Sequence, residues 1–311
     1  MGKIKREKIL FDTDIGSDID DAVCLAYLLM KKECDLLGIT TVTGESEKRA
    51  MMADAMCKAA GRQIPIFAGA DMPLMIPQRQ KLAPQAEKLT AYHHAEYRCE
   101  GNAIGFMRDI IYKNPGEVTL LAVGPLTNVA LLFASDKNIA SMLKRLVIMC
   151  GNFGFDEAVK TGTGAADKVN KAPSACRPEW NARVDPHATA IVYRAPVKVH
   201  RSVGLDVTTK VKMKKEDVAR RFNHDLLRIV ADFAQVWFAR TETLTFHDPL
   251  AAACIFNDNV CNFVRGSVTT DYTDGDEAGI TLWEALPESG AHEAASRVDC
   301  DEFFNEYFSV F

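Results

Sequence analysis

The sequence lacks a long apolar run and has no strong excess of charge of either sign. No apolar stretch of the 311-residue chain approaches the ~20 residues that a transmembrane helix requires. The formal net charge is -5 and the pI is about 5.9. Binding of a nucleic-acid backbone or an anionic membrane usually needs a basic surface, so neither is an expected partner. A small neutral or cationic ligand fits this charge balance better.

Paired cysteine motifs are also missing. The nine cysteines include no CxxC pair and lie mostly in apolar surroundings, which is typical of reduced thiols in the cytosol. The basic start MGKIKREKILF has only a few apolar residues before the first aspartate, so it does not have the pattern of a signal peptide. These observations predict a cytoplasmic protein.

Short β-rich runs alternate with helical patterns over the first two thirds of the chain. KILF, LLGITTV, IPIFAGA, VTLLAVG and LVIMCG have the pattern of strands, and the segments between them favour helices. This alternation predicts an α/β fold, Rossmann-like, with a mostly parallel central sheet flanked by helices. No repeat, low-complexity tract or Ser/Gly linker is present. We therefore expect a single domain over residues 1–311, with the active site at the carboxyl ends of the strands.

Two irregular segments interrupt this rhythm: residues 71–100 are rich in Pro, Gln and His, and residues 152–180 are rich in Gly, Lys and Ala. Connections longer than ~12 to 15 residues are usually functional loops, so both are predicted to border the active site. Further along, VGLDVT favours a strand, residues 214–240 favour one long helix, HDPLAAACIF favours a helix, and residues 263–284 favour β structure.

The segment FDTDIGSDIDDA places five aspartates directly after the first predicted strand: Asp12, Asp14, Asp18, Asp20 and Asp21. Two carboxylates ~5 Å apart repel each other by roughly 3 kcal/mol at an effective dielectric of ~20. The cluster is therefore either solvated or neutralised by a cation. The positive end of the following helix would accommodate one or two of these charges without any function.

Two metal-binding alternatives can be compared with this segment. A calcium EF-hand needs Gly at position 6 and Glu at position 12, but counting from Asp12 gives Ser17 and Val23, so that alternative fails. A magnesium-dependent phosphatase of the haloacid dehalogenase type also has an Asp-x-Asp loop after its first strand. Its second Asp is normally followed by Gly and Thr, whereas this sequence reads Asp-Ile-Gly. The phosphatase alternative stays open.

Seven motifs together carry a more specific resemblance. FDTDIGSDIDDA, GITTVTGE (38–45), LLAVGPLTNVA (120–130), VIMCGN (147–152), EWNARVDPHA (179–188), VGLDVT (203–208) and FHDPLAAA (246–253) resemble, in this order, the inosine-uridine preferring nucleoside hydrolase family. The resemblance implies calcium-dependent hydrolysis of the N-glycosidic bond of ribonucleosides to ribose and free base, through an oxocarbenium-like transition state. It also implies a possible homo-oligomer, a dimer or a tetramer.

The same resemblance implies a ligand set for the calcium ion. Asp14, Asp21 and Asp248 are the expected carboxylate ligands, and Val123 is expected to add its main-chain carbonyl. Asp14 is also the expected general base toward a water that the ion holds. His247, next to Asp248, is expected to protonate or hydrogen-bond the leaving base.

Further residues are expected to contact the substrate. Asp20, Glu179 and Asn181 would accept or donate hydrogen bonds to ribose hydroxyls, and Trp237 could stack on the base. Glu45 stands where the best-known family members carry a sugar-binding Asn. Two extra residues near Asp18 lengthen the opening loop relative to the family pattern. Because of these two departures, a calcium-dependent ribose- or nucleoside-binding protein without turnover remains an alternative.

Overall fold

The computed structural model describes residues 6–99, 101–155 and 177–311, and their strands form two sheets. The strands are β1 (Glu7–Thr13), β2 (Cys34–Thr41), β3 (Ile66–Ala68), β4 (Val118–Ala122), β5 (Arg145–Ile148), β6 (His200–Ser202), β7 (Lys212–Lys214), β8 (Thr243–Thr245), β9 (Cys261–Thr270), β10 (Thr281–Ala285) and β11 (His292–Val298). The pair β7 and β8 is separate from the main sheet.

Helices connect most of these strands. They are α1 (Asp20–Met30), α2 (Ser46–Ala59), α3 (Ala103–Lys113), α4 (Thr127–Ser135), α5 (Trp180–Val184), α6 (Pro186–Tyr193), α7 (Leu205–Thr208), α8 (Lys215–Arg221), α9 (Asp225–Phe238), α10 (His247–Phe256) and α11 (Cys300–Phe308). Two 3₁₀ helices cover Pro84–Ala91 and Ile139–Met142.

The main sheet explains where a ligand can bind. Its nine strands run in the order β10-β9-β11-β6-β5-β4-β1-β2-β3. From β3 to β11 the neighbours are parallel, and β9 and β10 add an antiparallel edge. The prediction of a single, mostly parallel α/β domain is thus confirmed. The chain order reverses between β1 and β4, and ligands bind in the crevice at such a switch point.

Alternating side chains of the strands enter two separate cores. On β1, Ile9 and Phe11 belong to the cluster on one face of the sheet, whereas Leu10 belongs to the cluster on the other face. Successive side chains of a strand point to opposite faces, so uniformly apolar strands can be covered on both sides. Each fully buried Leu, Ile or Phe side chain contributes about 1.5–3 kcal/mol to folding.

Two predicted elements differ from the structure. Residues 214–240 form two helices rather than one, because Phe222 turns into the core and the His224 side chain caps α9 by accepting from the Leu226 N–H. VGLDVT contains no strand residue, since β6 ends at Ser202 and the last four residues of the motif form α7. The α7 carboxylate of Asp206 accepts the N–H groups of residues 153 and 155, a long-range contact that favours the helical turn.

The structure describes nearly all of the first irregular segment but only the ends of the second. Residues 71–100 were predicted to lack regular structure, yet they contain the 3₁₀ helix Pro84–Ala91. Tyr92 ties this segment to α9 through a 3.0 Å hydrogen bond from its hydroxyl to the Asp232 carboxylate. Residues 156–176 of the second segment lie outside the described residues.

A buried histidine sits where β6 meets β11. The His200 ring stacks on Tyr193 with centroids 5.1 Å apart and meets the edge of His292 at 4.9 Å. Neither ring nitrogen of His200 has a hydrogen-bond partner in the part of the chain that the structure describes. Burial, and then the charge of His292, lowers the pKa of His200 well below its usual value.

We expect His200→Phe to reduce the acid sensitivity of the fold. Below about pH 6.5 the unfolded chain binds a proton that the folded His200 does not, so stability falls by up to about 1.4 kcal/mol per pH unit for this one group. Urea unfolding at pH 7.5 and pH 5.0 measures this slope. His93→Gln, at an exposed position, is the control. Its unfolding free energy should change between the two pH values as much as that of the unsubstituted protein. An unchanged slope in His200→Phe would contradict this account.

Candidate active site

The loop after β1 returns the chain sharply to the start of α1. Gly16 has φ +118°, and a Cβ there would lie 3.0 Å from Met52 Sδ and 3.1 Å from Ala83 Cβ, so both conformation and space require glycine. Thr13 Oγ1 and the Asp14 N–H both donate to Oδ1 of Asp21. These two bonds fix the Asp21 carboxylate and leave its second oxygen for another partner.

Three buried carboxylates meet at the carboxyl edge of the sheet. Asp20 and Asp21 lie in the first turn of α1, and Asp248 lies in the first turn of α10. One oxygen from each lies within 4.8 Å of the other two, and the Asp248 N–H donates to Asp20 Oδ2 at 3.4 Å. An all-oxygen donor set of this kind suits a hard divalent cation.

Charge repulsion in this cluster is large. Burial, and then the charges of neighbouring aspartates, raises the pKa of Asp20, Asp21 and Asp248 well above the usual value. Asp18 is exposed at the rim of the cluster, but loss of hydration within the protein, and then the charge of Asp14, raises its pKa to about 6. A bound cation would oppose these upward shifts, because a nearby positive charge favours the ionised form of a carboxylate.

The Arg49 side chain forms hydrogen bonds with the backbone of the loop after β1. This side chain is fully buried, and its Nη1 donates to the carbonyls of Asp14 and Ile15. Its Nε donates to the Gly44 carbonyl at 2.9 Å and its Nη2 to the Leu82 carbonyl at 3.0 Å. One guanidinium therefore joins the loop after β1, the loop after β2 and the segment before the 3₁₀ helix. Burial raises the pKa of Asp14, and the charge of Arg49 opposes this shift.

A cavity of about 350 Å³ opens above this cluster, and we call it the inner cavity. Eight of the ten residues predicted for the site line it: Asp14, Asp20, Asp21, Val123, Glu179, Asn181, His247 and Asp248. They come from the carboxyl ends of β1 and β4 and from the starts of α1, α5 and α10. The expected carboxylate ligands were Asp14, Asp21 and Asp248, whereas the compact oxygen cluster contains Asp20 in place of Asp14.

Glu179 and Asn181 have structural partners as well as a place in the cavity wall. The Glu179 carboxylate accepts the N–H groups of Asn181 and Ala182 and so caps α5. Burial raises the pKa of Glu179 to about 7, although these hydrogen bonds oppose the shift. Asn181 Nδ2 donates to the carbonyls of Val123 at 2.7 Å and Met149 at 2.9 Å. This amide therefore bridges the ends of β4 and β5.

His247 reaches the same cavity from the first residue of α10. Its Nδ1 lies 2.7 Å from Thr208 Oγ1. Burial, and then the charge of Lys212, lowers the pKa of His247 to about 4. The imidazole is therefore neutral at pH 7 and can act as a hydrogen-bond donor through one nitrogen only.

Two predicted substrate contacts lie outside the inner cavity. Glu45 forms an ion pair with Lys48 and accepts the Ala83 N–H at 2.8 Å, so it anchors the segment before the 3₁₀ helix. Trp237 lines a neighbouring cavity, and its Nε1 donates to the Thr243 carbonyl at 3.1 Å.

Gln80 and Trp180 line the inner cavity and were not predicted from the sequence. Gln80 Nε2 donates to Asp14 Oδ2 at 2.5 Å and to Ser17 Oγ at 2.9 Å, while its Oε1 accepts Trp180 Nε1–H at 2.6 Å. The available signals were the position of Gln80 in the irregular segment 71–100 and that of Trp180 inside the EWN motif. Neither signal indicates which partner each side chain meets.

The fold and the site together define an α/β protein with a buried, carboxylate-lined cavity at the switch point of its sheet. Comparison with known proteins makes this class specific. The model of the family described as "Inosine-uridine preferring nucleoside hydrolase" matches residues 9–305. The chain belongs to this family, which confirms the resemblance seen in the sequence motifs.

Individual relatives agree with this assignment. The chain is 28% identical to "Uridine nucleosidase 1" of Arabidopsis thaliana over 296 residues, which cover 90% of this chain and 82% of the relative. It is 34% identical to "Non-specific ribonucleoside hydrolase RihC" of Escherichia fergusonii over 211 residues, 66% of this chain and 63% of that protein. A solved "Plant nucleoside hydrolase" has the same fold, with a TM-score of 0.80, 20% identity and 98% of both chains covered.

The family assignment makes the chain a hydrolase that acts on N-glycosyl bonds of ribonucleosides. It favours this activity over the phosphatase and over the binding protein without turnover. The family is metal-dependent, and the cluster Asp20, Asp21 and Asp248 could bind the metal. Over the described ranges, no helix has the length and apolar character needed to cross a membrane.

Removal of the buried guanidinium tests how the site is held together. We expect Arg49→Met to lower the free energy of unfolding by about 3 kcal/mol or more, because each buried carbonyl left without a donor costs about 1–3 kcal/mol. Urea unfolding measures this loss. Arg108→Met, in which a half-exposed guanidinium on α3 is removed, is the matched control and should change stability by no more than about 0.5 kcal/mol. Equal effects of the two variants would refute the assigned role.

Proposed function

We propose that the chain hydrolyses ribonucleosides to ribose and free base with a calcium ion at the carboxylate cluster. The observation that carries this proposal is the compact set of buried oxygens from Asp20, Asp21 and Asp248, which opens into the cavity that Asp14 and Asn181 line. The cation would balance the buried charge, and the cavity next to it could hold a ribose with its hydroxyls toward the ion.

The donor chemistry fits calcium better than a softer metal. Asp20, Asp21 and Asp248 would hold the ion, with Asp14 and the Val123 carbonyl as further oxygens. The Val123 carbonyl already accepts the Asn181 amide, but a carbonyl oxygen has two lone pairs and can serve both partners. Calcium takes six to eight oxygens in irregular geometry. When bound, it would supply positive charge that orients ribose hydroxyls and makes a nearby water more acidic.

Asp14 is the proposed general base. Its carboxylate lies in the wall of the cavity, and Gln80 donates to its Oδ2, which fixes one oxygen and its orientation. A proton from the attacking water would pass to Asp14 while the bond from the ribose C1′ to the base breaks. The ribose then becomes oxocarbenium-like, and the buried carboxylates stabilise its positive charge more than they stabilise the neutral substrate. Asp20 would also accept a hydrogen bond from a ribose hydroxyl.

His247 is the proposed donor to the leaving base. If the Thr208 hydroxyl donates to Nδ1, the neutral ring carries its proton on Nε2, which can hydrogen-bond the departing nitrogen. Glu179 and Asn181 would hold other ribose hydroxyls from the opposite wall. Cytoplasmic nucleoside salvage is the proposed setting, supported by the eight free cysteines of the described residues. A dimer or tetramer stays a prediction.

Metal dependence is tested with a panel of purine and pyrimidine nucleosides. We expect ribose release that a calcium chelator abolishes and that added Ca²⁺ restores. Asp248→Asn should lower kcat/KM by at least about 100-fold, since it removes one ligand charge. Asp274→Asn changes an exposed aspartate far from the site in sequence and should keep full activity.

Three other outcomes of this substrate panel would each contradict a different part of the proposal. Nucleoside binding without any ribose release would support the binding protein, and release of inorganic phosphate from sugar phosphates would support the phosphatase. Full activity in the presence of chelator, with no metal found by elemental analysis, would remove calcium from the proposal.

His247→Ala tests the step at the leaving base. We expect kcat for uridine to fall by about 100-fold, because loss of one hydrogen bond to developing negative charge typically costs about 10² to 10³. Hydrolysis of p-nitrophenyl riboside should fall by less than about 5-fold, since its leaving group needs no proton. His93→Ala serves as the control in an exposed loop. A parallel loss on both substrates would assign His247 a purely structural role.

A further inference from the structure

A second cavity borders the inner one. It has a volume of about 380 Å³, and we call it the outer cavity. Gln80 and Trp180, joined by their 2.6 Å hydrogen bond, belong to the walls of both cavities, as do Ser17 and Asp18. The two spaces therefore meet along this hydrogen-bonded pair, beside Asp14.

The walls of the outer cavity combine aromatic and cationic side chains. Trp180 and Trp237 contribute two indole rings, and Arg79, Lys81 and Arg240 contribute three positive charges. Arg79, Lys81 and Arg240 are exposed, and no ion pair involves them in the part of the chain that the structure describes. Arg79 Nη1 donates to the main-chain carbonyl of Arg183 at 3.4 Å.

The sign of charge changes from one cavity to the other. Asp14, Asp18, Asp20, Asp21 and Asp248 line the inner cavity, whereas Asp18 is the only acidic residue among the described walls of the outer one. The direction of this change matches the reaction. When the C1′–N bond breaks, its electron pair goes to the base nitrogen, so positive charge develops on the ribose and negative charge on the base.

The side chains of the outer cavity also suit a particular kind of base. Indole rings stack on planar heterocycles, and a guanidinium pairs with a planar carboxylate through two parallel hydrogen bonds. A neutral base would use the rings and leave the three cations solvated. A base with an acidic group on the edge remote from the ribose would use both features.

Resting on the proposed function, we propose that the outer cavity receives the leaving base and that Arg79 and Arg240 select nucleosides whose base carries a negative charge. The bond to C1′ forms from the water oxygen, the water proton goes to Asp14, and the C1′–N electron pair leaves with the base, whose nitrogen then takes a proton from solvent water. The two arginines bind the acidic group of the base before and during this step.

A matched pair of substrates tests the charge preference. 5-Carboxyuridine and 5-carbamoyluridine have nearly the same shape and differ by one negative charge. We expect the carboxylate to have at least a 10-fold higher kcat/KM, mostly through a lower KM. Arg79→Gln and Arg240→Gln keep polar side chains without charge, and each should reduce this ratio about 3-fold or more. Because the cations are exposed, the ratio should also fall as salt is added.

Arg228→Gln removes an exposed charge from α9 outside both cavities and should leave the ratio unchanged. A ratio of one or below, or equal ratios in all variants, would overturn the proposal. A preference for uridine 5′-phosphate over 5-carboxyuridine would instead place the anion on the ribose side and also overturn it.

Failure of this inference can be told apart from failure of the proposed function. If neither uridine nor either derivative releases ribose, the hydrolytic mechanism fails, but the charge preference is still measured by binding. Isothermal titration of the calcium-loaded protein with the two derivatives then gives the affinity ratio. Tighter binding of the carboxylate that Arg79→Gln weakens supports the outer cavity as an anion site. Equal affinities refute it.

Discussion

Repulsion among buried carboxylates at one edge of the sheet is the constraint on which the rest of the site depends. Asp20, Asp21 and Asp248 lie within 4.8 Å of one another, and at such distances each pair of negative charges costs several kcal/mol in a protein interior. Several features oppose that cost. The positive end of α1 lies beneath two of the carboxylates, backbone and hydroxyl donors fix Asp21, and the Arg49 guanidinium lies behind Asp14. The remaining negative charge is what a divalent cation would neutralise.

The same constraint connects the site to segments distant in the chain. Arg49 joins the loop after β1 to the segment that carries Gln80, and Gln80 in turn joins Asp14 to Trp180. The orientation of Asp14, the proposed general base, therefore depends on the position of the segment 71–99.

The arrangement of charge also bears on specificity. Acidic side chains surround the place where a ribose would acquire positive charge, and Arg79, Lys81 and Arg240 surround the adjoining space. A cavity that is negative at one end and positive at the other stabilises a transition state with the matching dipole more than it stabilises a neutral substrate.

The sequence by itself determined the α/β fold, the core strands and helix α10, because apolar runs and their periodicity are local properties. It also identified the family. Of the ten site residues predicted from the sequence, eight line the inner cavity, since these lie in motifs at strand ends. Only the tertiary structure decided that Asp20 joins the oxygen cluster, that Glu45 anchors a loop and that Gln80 contacts Asp14. Each of these outcomes depends on contacts between residues far apart in the chain or on side-chain direction, which local patterns do not encode.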